Sequence, residues 1–236
     1  MVDSSGAAAL ADIHFDPRRM LAFDLETTGQ DPHTCRIVTS AMVRLADGSK
    51  DATLLLADPG VEIPEEATKV HGISTEYARE NGEDHAAVVQ KTIQGLKQAW
   101  SEGLTVIAYN ATYDLTVMLA QDPSFTIDGL VLDPFVIDQH FDQFRKGKRT
   151  LEMTCEHYQV RLDSAHDATE DALAAARLAW VMAKKWPELT SMSGEELMEQ
   201  QAIWYYERRQ QLYEYFKTQG KEVSDFNFSW PMQLPG

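Results

Sequence analysis

Met20-Leu21-Ala22-Phe23-Asp24-Leu25-Glu26-Thr27-Thr28-Gly29 is the stretch on which the fold turns. Its apolar start and closing glycine predict a buried strand. Side chains alternate faces along a strand, so Asp24 and Glu26 point the same way. Two carboxylates on one face of an apolar strand must protonate or meet a cation. A hard divalent ion bound through oxygen, Mg²⁺ or Mn²⁺, is the least costly partner. An exposed strand end with solvated or Arg-paired acids would explain a lone D-x-E as well. The decision rests on whether other acids converge on the same point.

Outward from this strand, Gly29-Gln30-Asp31-Pro32 reads as a turn and residues 36–45 as a second strand. Asp47-Gly48 is a hairpin signal, and a third strand follows around Thr53-Leu54-Leu55-Leu56. From Pro64 the pattern is helical, broken at Val70-His71-Gly72-Ile73 and reopened at Ser74. Residues 84–100 carry Val88, Val89, Ile93, Leu96 and Trp100 at amphipathic spacing. A fourth strand is expected at 104–109, a helix from Asn110 through Leu119, and a fifth strand from Leu130 to Ile137. A short helix at 151–158 and an alanine-rich helix from Asp167 to Trp186 complete the pattern. This order predicts an α/β fold, a mixed five-stranded sheet flanked by helices. The expected organisation is a lead-in at 1–18, a domain at 19–187 and a C-terminal helical extension at 188–236. The extension opens with a capping box at Ser193 and is rich in aromatics from Trp204 to Phe216.

The chain has 37 acids against 21 lysines and arginines, a net charge of −16. That balance argues against a module that binds nucleic acid tightly through a broad basic footprint. It leaves room for an enzyme in which metal ions and a few local cations hold one strand end. No apolar run approaches the ~20 residues of a membrane span. The N-terminus has neither the basic start nor the apolar core of a secretory signal. Cys35 and Cys155 therefore read as free thiols of a cytoplasmic protein, and neither has zinc-site spacing.

Asp114 follows a buried strand at the start of a helix. Asp167 with Glu170 three residues on forms an N-cap pattern, which leaves His166 on the preceding loop and Asp171 in the first turn. Five residues along one helix are ~140° apart, so only a loop joined to a first turn can aim both at one point. Four acids, Asp24, Glu26, Asp114 and Asp171, can hold two metal ions ~3.5–4 Å apart for an in-line phosphoryl displacement. A histidine at 166 is suited to take the proton of the attacking water.

Asp24-Leu25-Glu26-Thr27-Thr28-Gly29, Asn110-Ala111-Thr112-Tyr113-Asp114 and His166-Asp167-Ala168-Thr169-Glu170-Asp171 resemble, in order and separation, the three motifs of the DEDDh (DnaQ-like) 3′→5′ exonucleases. These are D-x-E-T-T-G, N-A-x-x-D and H-x-A-x-x-D. His71-Gly72-Ile73 resembles the family's H-G-I element and Asp133 the acid on its later strand. The resemblance covers residues 19–185. It implies a ribonuclease-H-like fold, two Mg²⁺ or Mn²⁺ ions, and release of nucleoside 5′-monophosphates from a nucleic-acid 3′ end. Single-stranded DNA or frayed ends are the expected substrate. Carried over by residue, Asp24, Glu26, Asp114 and Asp171 are metal ligands and His166 is the general base. Thr27 and Thr28 lie against the terminal nucleotide, with His71 and Asn110 near the substrate strand.

Plainer readings stand beside these. Asn110 caps a helix, Asp133 fixes a neighbouring group, and Asp167 and Glu170 are cap residues. The aromatics of 204–216 pack more readily than they stack on bases. Arg145, Lys146, Lys148 and Arg149 form a basic loop that either guides phosphates or is simply solvated. Two rival functions follow. One is an RNA-trimming or oligoribonuclease-like exoribonuclease, against which Thr27-Thr28 count, since that branch resembles E-M-T-G there. The other is a non-catalytic module docking a polymerase or other protein partner through the aromatic extension. Four uncompensated acids count against that module.

Overall fold

The computed structural model describes residues 10–163, 166–223 and 226–234, so the first nine residues of the lead-in lie outside it. Strand β1 (Met20–Thr27) is apolar because both its faces are covered, with Ala22 and Phe23 fully buried. It pairs antiparallel with β2 (Ile37–Ala46), Asp24 opposite Ala41 and Glu26 opposite Thr39. Asp47 and Gly48, at φ of 56° and 76°, make the two-residue turn into β3 (Ser49–Asp58). Positive φ at both positions is what such a hairpin requires. The other edge of β1 pairs in parallel with β5 (Thr105–Ile107), and β5 with β6 (Val131–Leu132).

With β4 (Glu83–Asp84), the sheet has six strands among the described residues rather than five, in the order β4-β3-β2-β1-β5-β6. The additional strand is two residues long and pairs with the end of β3, too short for any periodicity to show. The expected strand from Leu130 to Ile137 is also corrected. It stops at Leu132, and Pro134–Phe141 is a helix. Asp133 caps that helix by accepting the Phe135 N–H, and Pro134 at its first position has no N–H to lose.

In chain order the helices are α1 (Glu65–His71), α2 (Thr75–Asn81), α3 (His85–Ser101), α4 (Ala111–Gln121), α5 (Pro134–Phe141), α6 (Leu151–His157), α7 (Ala168–Lys185), α8 (Glu188–Ser191) and α9 (Gly194–Thr218). Ser40 and Met42 of β2 meet α3: Thr92 Oγ1 donates to Ser40 Oγ at 2.8 Å, and a Cβ at Gly95 would stand 2.5 Å from Met42 Sδ. Helix α7 packs on β1 and β2 through Ala172, Ala175, Ala176 and Ala179, all essentially inaccessible. Small side chains let its axis lie close to the sheet, which brings its first turn over the end of β1.

The expected capping box forms, with Ser193 and Glu196 satisfying each other's backbone N–H groups. Helix α9 then buries Leu197, Gln201, Trp204 and Tyr205 in the same core as the sheet. The Gln201 amide accepts from Asp133 N at 2.8 Å and donates to the Val131 carbonyl at 2.9 Å. Among the described residues no helix is long and apolar enough to cross a membrane.

Candidate active site

Parallel strands β1 and β5 end on the same side of the sheet, where open α/β sheets present their ligand sites. Asp24 and Glu26 lie in the last turn of the pleat on β1, half-buried among buried neighbours. Beyond β5 the chain turns sharply at Asn110, which takes a left-handed φ of 63°. The backbone N–H groups of Asn110 and Ala111 donate to the two oxygens of Asp133, each at 2.9 Å. That anchor sets the direction of α4. Asp114, buried in its first turn, then accepts the N–H of Leu25 at 3.0 Å, between the two acids of β1.

The third group arrives from α7. Asp167 caps the helix by accepting from Thr169 N and Glu170 N at 3.0 and 3.1 Å. His166 stands outside the helix with φ of 68°, and its N–H donates to Asp171 Oδ2 at 3.2 Å. Ligating atoms of Glu26, His166 and Asp171 lie within 4.8 Å of one another. Loop and first turn together do what one regular helix could not.

Desolvation raises Asp24, Asp114 and Asp171 above the ordinary carboxylate range, and Asp24 is pushed further by Asp114, Glu26 and Asp171. Glu26 is raised to about 7 by burial and then by Asp171 and Asp167. Among the described residues, Asp171 Oδ1 is buried with no hydrogen-bond partner. An all-oxygen donor set with one imidazole, mutually repelling and short of positive charge, fits a hard divalent cation.

Thr27, Thr28 and His71 line a cleft of about 670 Å³ beside Glu26. Thr27 Oγ1 donates to the Gly29 carbonyl at 2.8 Å, and Thr28 Oγ1 accepts from Arg36 N at 2.9 Å. His71 Nδ1 accepts from Ile73 N, and burial holds the imidazole below its usual pKa, partly offset by the Thr27 backbone. Asn110 is exposed and is not among the residues lining the cleft. Asp133 binds three backbone N–H groups, the neighbour-fixing role expected of it.

Sequence reasoning missed Tyr113. Its hydroxyl lies 2.5 Å from both Thr27 Oγ1 and the Gly29 carbonyl and 3.6 Å from Cys35 Sγ, tying α4 to the turn after β1. A hydroxyl one residue before Asp114 was the available signal. The basic loop also divides. Arg145 and Arg149 both pair with fully buried Asp138, so neither guanidinium is directed outward.

The sequence profile of the exonuclease family, RNase T type, matches residues 21–179. The chain belongs to that exonuclease family. It is a DEDDh, DnaQ-like member of the ribonuclease-H-like superfamily. It is 25% identical over 180 residues to the PolC-type DNA polymerase III of Caldanaerobacter subterraneus subsp. tengcongensis, covering 75% of this chain and 12% of that one. It is 34% identical over 119 residues to a DNA polymerase III subunit epsilon-like protein of Rhodobacter capsulatus, covering 49% of this chain and 16% of the relative. The chain thus spans about an eighth of the PolC-type relative and about a sixth of the epsilon-like one. In fold this exonuclease-family chain resembles exonuclease I of Methylocaldum szegediense, with TM-score 0.59, 21% identity, and coverage of 72% of this chain and 41% of the other. It also resembles exonuclease I of E. coli in complex with a dA16 oligonucleotide, with TM-score 0.57, 20% identity, and coverage of 73% and 42%.

Proposed function

We propose that the protein is a metal-dependent 3′→5′ exonuclease that hydrolyses the terminal phosphodiester of single-stranded or frayed DNA and releases nucleoside 5′-monophosphates. The observation that carries this reading is the meeting of Glu26, His166 and Asp171 beside the half-buried Asp24 and the buried Asp114. Asp24, Glu26, Asp114 and Asp171 would hold two Mg²⁺ or Mn²⁺ ions through carboxylate oxygens. Such ions, when bound, activate a water and neutralise charge on the attacking and leaving oxygens of an in-line displacement. His166, carried on a loop, takes the proton of the attacking water at a ring nitrogen. Thr27, Thr28 and His71 receive the terminal nucleotide in the cleft, and Asn110 stands near the strand behind it. The polymerase relatives and the oligonucleotide-bound exonuclease I support the choice of DNA. We take the buried free thiols Cys35 and Cys155 as support for a cytoplasmic protein, and α9 with its tail as the surface for a polymerase or other partner.

The test uses 5′-labelled single-stranded DNA and RNA of one sequence, with Mg²⁺, with Mn²⁺ and with chelator, the wild type beside Asp24→Ala. A metal-dependent ladder shortening from the 3′ end, absent in the variant, is the expected result. Faster loss of the RNA would give the exoribonuclease reading. A wild type that cuts neither would give the docking module.

A further inference from the structure

Residues 142–150, between α5 and α6, hold a feature that hydrolysis at the carboxylates does not use. Phe144 is 88% exposed, the most exposed large hydrophobic side chain among the described residues. Lys146 and Lys148 are exposed beside it, and neither has an ion-pair partner among the described residues. An isolated exposed phenylalanine on a loose loop would mean little. This loop is bolted down. Arg145 Nη2 binds Asp138 Oδ2 at 2.8 Å and Thr154 Oγ1 at 3.1 Å, while Arg149 pairs with Asp138 and donates to the Asp142 carbonyl at 2.7 Å. Two internal arginines thus fix the backbone and turn the alternate residues outward.

The same anchoring gives the loop its place. Tyr109 Oη donates to the Arg149 carbonyl at 2.7 Å, and Tyr109 immediately precedes Asn110, the residue that turns the chain toward Asp114. The Arg149 end of the loop is therefore tied to the chain that leads into Asn110 and the helix of Asp114, and Lys148, Lys146 and Phe144 follow back along the loop. Two ammonium groups and an aromatic face in that succession suit phosphates and a base of one strand. In a chain of net charge −16, local cations on the path of a polyanion are what offset the general repulsion. A fixed aromatic gives up little conformational freedom on binding.

We propose that this loop carries the nucleic-acid strand upstream of the 3′ end, with Phe144 stacked on a base and Lys146 and Lys148 on phosphates. This rests on the exonuclease reading above. The test compares wild type with Phe144→Ala and with Lys146→Gln/Lys148→Gln on two substrates. One is a single-stranded DNA 20-mer; the other is the p-nitrophenyl ester of thymidine 5′-monophosphate, which has no upstream strand. Each variant should lower the ratio of kcat/KM for the 20-mer to that for the ester by roughly tenfold, the size of one lost stacking or phosphate contact. The double lysine variant should also flatten the slope of log affinity against log salt by about 1.4, measured by fluorescence anisotropy of the 20-mer in chelator. Ratios and anisotropy within twofold of wild type would overturn the proposal. If wild type cleaves neither substrate but anisotropy still falls in the variants, the exonuclease reading fails and the strand contact stands.

Discussion

Glu26→Gln isolates the electrostatic cost that metal is proposed to relieve. Gln keeps the shape of the side chain and removes its charge. In the fold the Glu26 carboxyl is held at about 7, against 4.5 for an unperturbed glutamate, chiefly by burial and secondly by Asp171 and Asp167. The native state therefore holds a proton that the unfolded chain has released, and stability falls as pH rises from about 4.5 through about 7. Moving a carboxyl over that interval costs, at ~1.36 kcal/mol per pH unit, about 3 kcal/mol, fully present above pH 7. Urea denaturation in chelator should find the variant and wild type alike near pH 4.5 and the variant about 3 kcal/mol more stable at pH 8. Adding Mn²⁺ at pH 8 should stabilise wild type, because a ligand that binds only the folded state shifts the equilibrium, and should do so far less for the variant. Equal stabilities at pH 8, with the same pH slope in both proteins, would refute a repelled carboxylate at this position and with it the basis for a cation there.

His166→Ala should depress turnover by 10²-fold or more, the usual scale of a lost general base, while the rise in Tm on adding Mn²⁺ persists. Disappearance of that rise would make His166 a ligand. Tyr113→Phe removes the hydroxyl that ties Thr27 and Gly29 to α4. One such bond is worth about 1 kcal/mol, so KM for a DNA 20-mer should rise about fivefold with kcat little changed, and an unchanged KM would count against a positioning role. Asp138→Ala leaves Arg145 and Arg149 without their buried counter-charge. A loss of about 3–5 kcal/mol in urea denaturation is expected, and a loss below about 1 kcal/mol would show the guanidinium groups reaching solvent.

What could be read in the chain beforehand was local. The D-x-E of β1, the N-A-x-x-D that ends at Asp114 and the cap at Asp167 are short-range patterns, and their convergence follows from strand alternation and helix geometry. The helix start at Ser193 was legible for the same reason. Pro134 was the overlooked local signal: an Asp followed by Pro begins a helix more readily than it continues a strand. The remainder was hidden because it is long-range. Nothing near Arg145 says that it will meet Asp138, nothing near Cys35 points to Tyr113, and a two-residue strand such as β4 exists only because β3 lies beside it.

Gln201 has a consequence for modularity. With one side chain it offers β6 the donor and acceptor that a further strand would supply, so the sheet is finished by a residue some seventy positions away in sequence. A recombination event that kept the nuclease sheet and exchanged the aromatic tail would strip that substitute strand from the Val131–Asp133 backbone. An open edge of this kind recruits other chains. Helix α9 is thereby part of how this sheet edge is closed, and its removal would leave the Val131–Asp133 backbone open to pairing.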